Sequence, residues 1–422
     1  MNKNYLTLLL IATIASSTAA FGGTPGKAIA LGLGIWFIST KNIAYFPLLA
    51  IITSFLSTGY LLYIQMFFIC LANFETLRKR GLSTLFLIYT LMIITVLFYA
   101  FVKLQTSNIN IGTSLKDYIF VLALSPFFYG AVVYSKYSKN DFDWERIFDA
   151  LIIVGVLNIS FSIIKPFFEI SRLFFLIIPF LFTYIFINFS DTSQLKKIIY
   201  SGLVLLYYLG TDGITFTLIF SAFISILLIR RKVKSTIVPF VLVLLVVYIP
   251  IYAINNSDDL DFTDFIDLDM SDIRTLDDFN GRLGMKLIED RGPIWTSAWN
   301  YLKENISILP PLDKYKLFVK SKLNSETEWE FHSHNLALES LLNLGLITGI
   351  LVLIFFLYIN FTSVKGLNYQ RLKPIAKIFI IVSVVSNIVG SMSGIFPLLL
   401  DYAFLPLVIM GAYYYNKKTI FK

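Results

Sequence analysis

Cysteine and histidine are almost missing from this chain. There is one cysteine, Cys70, and there are two histidines, His332 and His334. A single cysteine rules out an internal disulfide and a thiolate metal site. Two histidines are too few for a multi-histidine metal centre, so the expectation is no metal and no cofactor. Charge is scarce as well: 15% of residues are Asp, Glu, Lys or Arg, against about 25% in soluble domains. That scarcity excludes an ordinary soluble fold. No internal repeat and no low-complexity linker is present. The net charge of +8 is not gathered into a basic patch interleaved with aromatics, so no nucleic-acid partner is expected.

What is abundant is hydrocarbon, at 57% hydrophobic and 16% aromatic residues. A membrane-crossing helix needs about 20 apolar residues. Candidate spans are 5–21, 28–39, 44–57, 59–74, 82–102, 117–134, 147–164, 173–189, 198–210, 214–229, 235–253, 336–359, 375–392 and 396–415. The fold class is therefore all-α: a polytopic integral membrane protein with about 12–14 transmembrane helices. Residues 5–21 share the basic start, apolar core and small-residue end of a signal peptide. Further apolar segments follow at once, which makes them an uncleaved first span.

Lysine and arginine orient the chain, since they collect in cytoplasmic loops. Lys41 precedes residues 44–74, and Arg78, Lys79 and Arg80 follow them. Both flanks prefer the cytoplasm, so the chain crosses twice and turns near Gly59. The same rule applied throughout puts most basic residues inside. It leaves only Lys27, Lys103, Lys116, Lys165 and Arg172 in short outside loops. Both termini come out cytoplasmic, and one long segment, 254–335, lies outside. Three divisions result: N-terminal helices over 1–253, a periplasmic loop domain over 254–335, and C-terminal helices over 336–422.

The outside segment opens with Asp258, Asp259, Asp261, Asp264, Asp267, Asp269 and Asp272. It lacks the glycine and terminal glutamate of a calcium loop and reads as a solvated acidic lead-in. A helix follows over 291–303, with Trp295 and Trp299 one turn apart beside Ile294, Ala298 and Tyr301. That stripe packs the helix on the membrane face or on the loop itself. Pro310 and Pro311 then break the chain.

Chemistry-bearing residues converge on this side. His334 stands where the loop re-enters the membrane, and imidazole is suited to take a proton from a hydroxyl at neutral pH. A helix-capping histidine is the structural alternative, with Asn335 as a possible N-cap instead. Arg282 and Arg291 share the loop, and Arg172 lies in a separate outside loop. Arginine holds phosphate oxygens in bidentate fashion; an arginine at the bilayer edge can also simply contact lipid phosphates. Two loops offering arginines and a third feature offering a base suit a diphosphate substrate and a hydroxyl nucleophile.

Arg291 precedes Trp295 by four residues. His334 and Asn335 are followed by nine residues and then Gly345, which opens a long apolar stretch. Arg172 leads into an apolar span containing Pro179. This constellation resembles the O-antigen ligase/polymerase superfamily, bacterial inner-membrane glycosyltransferases of the GT-C type. The resemblance implies that Arg172 and Arg291 hold an undecaprenyl-diphosphate-linked glycan donor. It implies that His334 activates or orients the acceptor hydroxyl. Arg282, Asn335, Trp295 and His332 are the substrate-binding candidates around them. Three departures stand out: Gly345 and Gly349 are one residue further apart than the usual Gly-x-x-Gly. Thr211, Asp212 and Gly213 replace a Ser-Arg-Gly. Leu309 to Leu312 replaces glycines after the tryptophan helix.

The His334–Asn335 pair resembles the ligase motif most closely, which makes lipid A–core the expected acceptor. In the polymerase alternative the acceptor is a second lipid-linked glycan. A transporter or flippase of the same lipid-linked sugars would place ionisable residues inside spans; Glu339, Asp401 and Asp212 are the few candidates. A non-catalytic partner of an envelope machine would leave the arginines without a task. The expected location is the bacterial inner membrane among its lipids, with the active site on the periplasmic face.

Overall fold

The computed structural model describes residues 10–11, 13–14, 17–18, 22–40, 60–79, 81–106, 120–137, 152–153, 156–157, 193–209, 251, 292–309, 335–366 and 407–412. Every regular element among them is helical. In chain order they are α1 (Gly23–Thr40), α2 (Tyr60–Ala72), α3 (Phe74–Lys79) and α4 (Ser83–Thr106). A 3-10 turn (Phe120–Leu124) leads into α5 (Ser125–Tyr137). Then come α6 (Gln194–Leu209), α7 (Gly292–Glu304) and α8 (Leu336–Gly366). The expected spans 44–57, 173–189, 214–229 and 375–392 lie outside the described residues, as do most of 147–164 and all of 235–253 but Ile251.

Two described stretches are long and apolar enough to cross a membrane, Ser83–Val102 in α4 and Leu336–Thr362 in α8. Helix α4 shows how such an element differs from an amphipathic surface helix. Phe86, Tyr89, Ile93, Val96 and Ala100 are buried. The opposite face carries Leu87, Leu91, Ile94, Phe98 and Phe101, each more than half exposed. All ten are apolar, and the exposed five recur at the spacing of one helical face. A helix that is hydrophobic all round faces protein on one side and hydrocarbon on the other.

The turn into α4 follows from Gly81, which takes a positive φ of 67°. There its N–H donates to the Arg78 carbonyl, and the Leu82 N–H donates to the Leu77 carbonyl. This closes α3 with carbonyls that would otherwise be orphaned. The first core is aromatic. Phe67 of α2, Phe86 and Tyr89 of α4, Phe128 of α5 and Phe355 of α8 form one cluster, with Tyr89 stacked on Phe128 at 5.2 Å. The Tyr89 hydroxyl is buried yet satisfied: it donates to the Val121 carbonyl and lies 2.8 Å from the Ser125 hydroxyl. Tyr129 of α5 donates to the Ile38 carbonyl at the end of α1. Helix α5 also meets residues 407–412 backbone to backbone. A Cβ on Gly130 would sit 2.1 Å from the Val408 carbonyl oxygen, and one on Gly411 would sit 1.8 Å from that of Phe127. Close approach through small residues is how apolar helices gain contact without a solvent-driven force between them.

Candidate functional site

Helix α8 is two helices. At Gly345 the backbone takes φ 72° and ψ 177°, outside helical values. In a straight helix residues 340 and 349 would be about 13 Å apart along the axis. Here a Cβ on Gly349 would lie 2.6 Å from the Ser340 carbonyl oxygen. The chain therefore folds back sharply, and the arms 336–344 and 346–366 press together beside the bend. A positive φ favours glycine at 345. Space also requires it, because a Cβ there would meet the Leu309 carbonyl oxygen at 2.2 Å. The expectation of one span opening at Leu336 is corrected on this point. The second arm alone is about 30 Å long, enough to cross a hydrocarbon core. The first arm is a separate short helix of two and a half turns.

That Leu309 contact belongs to a strap, 305–309, running out of α7. The strap fills a need created by the bend. The second arm begins with backbone N–H groups that have no helical acceptor behind them. The Leu346 N–H donates to the Ser307 carbonyl at 2.8 Å, and the Ile347 N–H donates to the Ile308 carbonyl at 3.2 Å. The Ser307 hydroxyl in turn donates to the Leu309 carbonyl. The C-terminal ends of α7 and of the first arm are thus tied together at Gly345.

Helices α7 and α8 are also in direct contact. Trp295, Ala298 and Leu302 form the buried face of α7, each 6% exposed or less. Trp299 was expected on the same stripe as Trp295 but is 40% exposed; Leu302, two turns on from Trp295, takes that place. The Trp295 indole is 1% exposed, and its Nε1–H has no acceptor among the described residues. A buried donor left unsatisfied costs about 1–3 kcal/mol.

The start of the first arm is capped by Asn335. Its Oδ1 accepts from the Ala337 N–H at 2.8 Å and the Leu338 N–H at 3.1 Å, and the residue is 2% exposed. The capping role weighed for His334 is therefore filled by its neighbour. Glu339, a candidate of the transport reading, is buried one turn further on and accepts from the Asn343 side-chain amide at 2.7 Å. No cluster that could hold a metal ion occurs among the described residues. Of the sequence candidates, Trp295 and Asn335 are described. Arg172, Arg282, Arg291, His332 and His334 lie outside the described residues, as do Asp212 and Asp401. In the chain, Arg291 directly precedes α7 and His334 directly precedes the cap of the first arm.

Set beside known families, residues 198–354 match the O-antigen ligase family model. The match supports membership of the O-antigen ligase/polymerase superfamily. No curated protein and no solved structure matches it. The matched stretch begins in α6 and ends in the second arm of α8, so it contains α7, the Asn335 cap and the Gly345 bend. Arg172 lies before it. The match supports ligase-like or polymerase glycan transfer in general, and the family is one of bacterial membranes and lipid-linked glycans. The nine-residue spacing has a physical meaning here: those nine residues are the whole of the first arm, between cap and bend.

Proposed function

We propose that this protein is an O-antigen ligase-like glycosyltransferase at the periplasmic face of the bacterial inner membrane. It moves a glycan from undecaprenyl diphosphate to a hydroxyl of lipid A–core. The segment 254–335 is its periplasmic loop domain, and both chain termini are cytoplasmic. The observation that carries the reading is the joining of α7 to the first arm of α8 within the family-matched stretch. Helices that pack together and share a tied C-terminal end favour a parallel course. Their N-terminal ends, next to Arg291 and His334 in sequence, then lie at one end of the pair.

In this mechanism Arg291 and Arg172 hold the donor diphosphate through paired hydrogen bonds, with Arg282 assisting. His334 accepts the proton of the acceptor hydroxyl as that oxygen attacks the anomeric carbon. The bond from the anomeric carbon to the diphosphate oxygen breaks, and its electron pair leaves with the lipid diphosphate. Fixed guanidinium charges stabilise that developing anion. The Trp295 indole N–H is free to donate to an oxygen of the donor, which agrees with its burial without an acceptor. His332 and Asn335 flank the base.

Transfer and donor binding measured side by side on purified variants test the proposal. His334→Ala should still bind lipid-linked donor and lose about 10²–10⁴-fold in transfer, with His332→Ala far milder. Arg172→Lys and Arg291→Lys should both be poor enzymes, because lysine lacks the bidentate fork. Wild-type transfer by His334→Ala, or by both lysine variants, overturns the assigned roles. Activity on a second lipid-linked repeat unit but not on lipid A–core would make the chain a polymerase.

A further inference from the structure

The strap that seals the Gly345 bend is apolar and outward-facing. Ile306 is 61% exposed, Ile308 64% and Leu309 36%, while Trp299 on α7 is 40% exposed. Polar residues stand just before them: Lys303, Glu304 and Asn305 are also exposed. A water-facing connection satisfied by two backbone hydrogen bonds has no need of three large aliphatic side chains on its outer surface.

The neighbouring element says what covers them. The Ile308 carbonyl is bonded to the Ile347 N–H, and Ile347 is 51% exposed. It begins a line of exposed residues down the second arm: Ile347, Ile350, Ile354, Tyr358 and Phe361. Their spacing puts them on one face, and the arm they lie on, part of the apolar stretch Leu336–Thr362, is about 30 Å long by helical rise, the thickness of a bilayer core. The strap prolongs that face without a break in polarity. We infer that Trp299, Ile306, Ile308 and Leu309 are immersed in the bilayer at the end of the second arm. They anchor α7 as an interfacial helix lying on the lipid. Aliphatic residues below and a tryptophan at headgroup level are the usual composition of such an anchor. The donor helix α7 is then part of the membrane surface, at the depth where a lipid-linked diphosphate is presented.

The inference rests on the second arm crossing the membrane, and the test separates the two. Single cysteines at 303, 306, 308 and 354 are introduced into full-length protein with Cys70→Ser, spin-labelled and reconstituted in phosphatidylethanolamine/phosphatidylglycerol vesicles. Collision with dissolved oxygen reports lipid; collision with a water-soluble nickel chelate reports solvent. Labels at 306 and 308 should lose nickel collision as the label at 354 does, while the label at 303 keeps it. Nickel collision at 306 and 308 equal to that at 303, with 354 protected, overturns the anchor alone. Nickel collision at 354 overturns the spanning arm. Should the Cys70→Ser chain not fold, vesicles of the same composition with bromine near the acyl carbonyl replace the labels. Quenching of the unaltered chain must then fall in Trp299→Phe; unchanged quenching overturns the anchor.

Discussion

The side-chain oxygen of Asn335 accepts from two backbone N–H groups at the head of the first arm. Its neighbour His334 is proposed to act on substrate instead. The two residues therefore separate by experiment. Asn335→Ala should cost about 1 kcal/mol of stability, within the usual 0.5–2 kcal/mol for a lost cap, and should be rescued by Asp or Ser. His334→Ala should leave unfolding unchanged and act on transfer. Denaturant titration of both variants in detergent, run beside the transfer assay, checks the division. A shared stability loss would return His334 to a structural role. The sequence offered both residues together, because adjacency alone does not say which side chain turns toward the helix. The same holds at Trp295 and Trp299, one turn apart and one buried, one exposed.

Among elements, α4 carries the clearest test of the membrane reading. Its exposed face is apolar along its length, with Ile94 near the middle at 56% exposure. Ile94→Arg should disfavour insertion by about 3 kcal/mol on the translocon scale and reduce the amount of protein recovered in membranes severalfold. The same change at Lys103, near the end of the helix, should be silent. Immunoblotting of membrane fractions measures both. Helices were legible because long apolar runs declare themselves. The span expected at 82–102 is α4, Ser83–Thr106; that at 59–74 is α2, with the chain turning at Asn73 into α3. The helix expected at 291–303 is α7, Gly292–Glu304. The bend at Gly345 was not legible. No break in helical spacing announces it, and the strap from 305–309 that meets it is too far away in sequence for any local pattern to reveal.

For the whole molecule, the decisive property is sidedness. The proposed topology has 254–335 outside the cell membrane, and the chemistry proposed for Arg291 and His334 requires that face. A cysteine at Ser325, with Cys70 replaced, should react with a membrane-impermeant maleimide in intact spheroplasts. Reaction only after the inner membrane is opened would reverse the topology and, with it, the access of the proposed acceptor. The family resemblance was legible from a handful of residues around one helix pair, because cap, spacer and bend together make a structural unit. The acceptor was not legible, because the groups that would choose between lipid A–core and a lipid-linked repeat unit are not named by any motif.

The short arm between Asn335 and Gly345 also acts as an angular gauge. Its two ends are fixed independently, one by a side-chain cap and the other by a glycine wedged against the Leu309 carbonyl. Adding one residue within it would advance the chain by about 1.5 Å and turn everything ahead of the cap by about 100° about the helix axis. Nothing in the second arm would need to move. A single alanine inserted between Leu341 and Leu342 should therefore leave membrane insertion intact and abolish transfer, read by membrane fractionation and by the glycan assay. Two further alanines at the same place add another 200° and bring the facing back to within about 60° of the original. A partial return of activity at three residues, with none at one or two, would be the signature of rotational phase rather than of length.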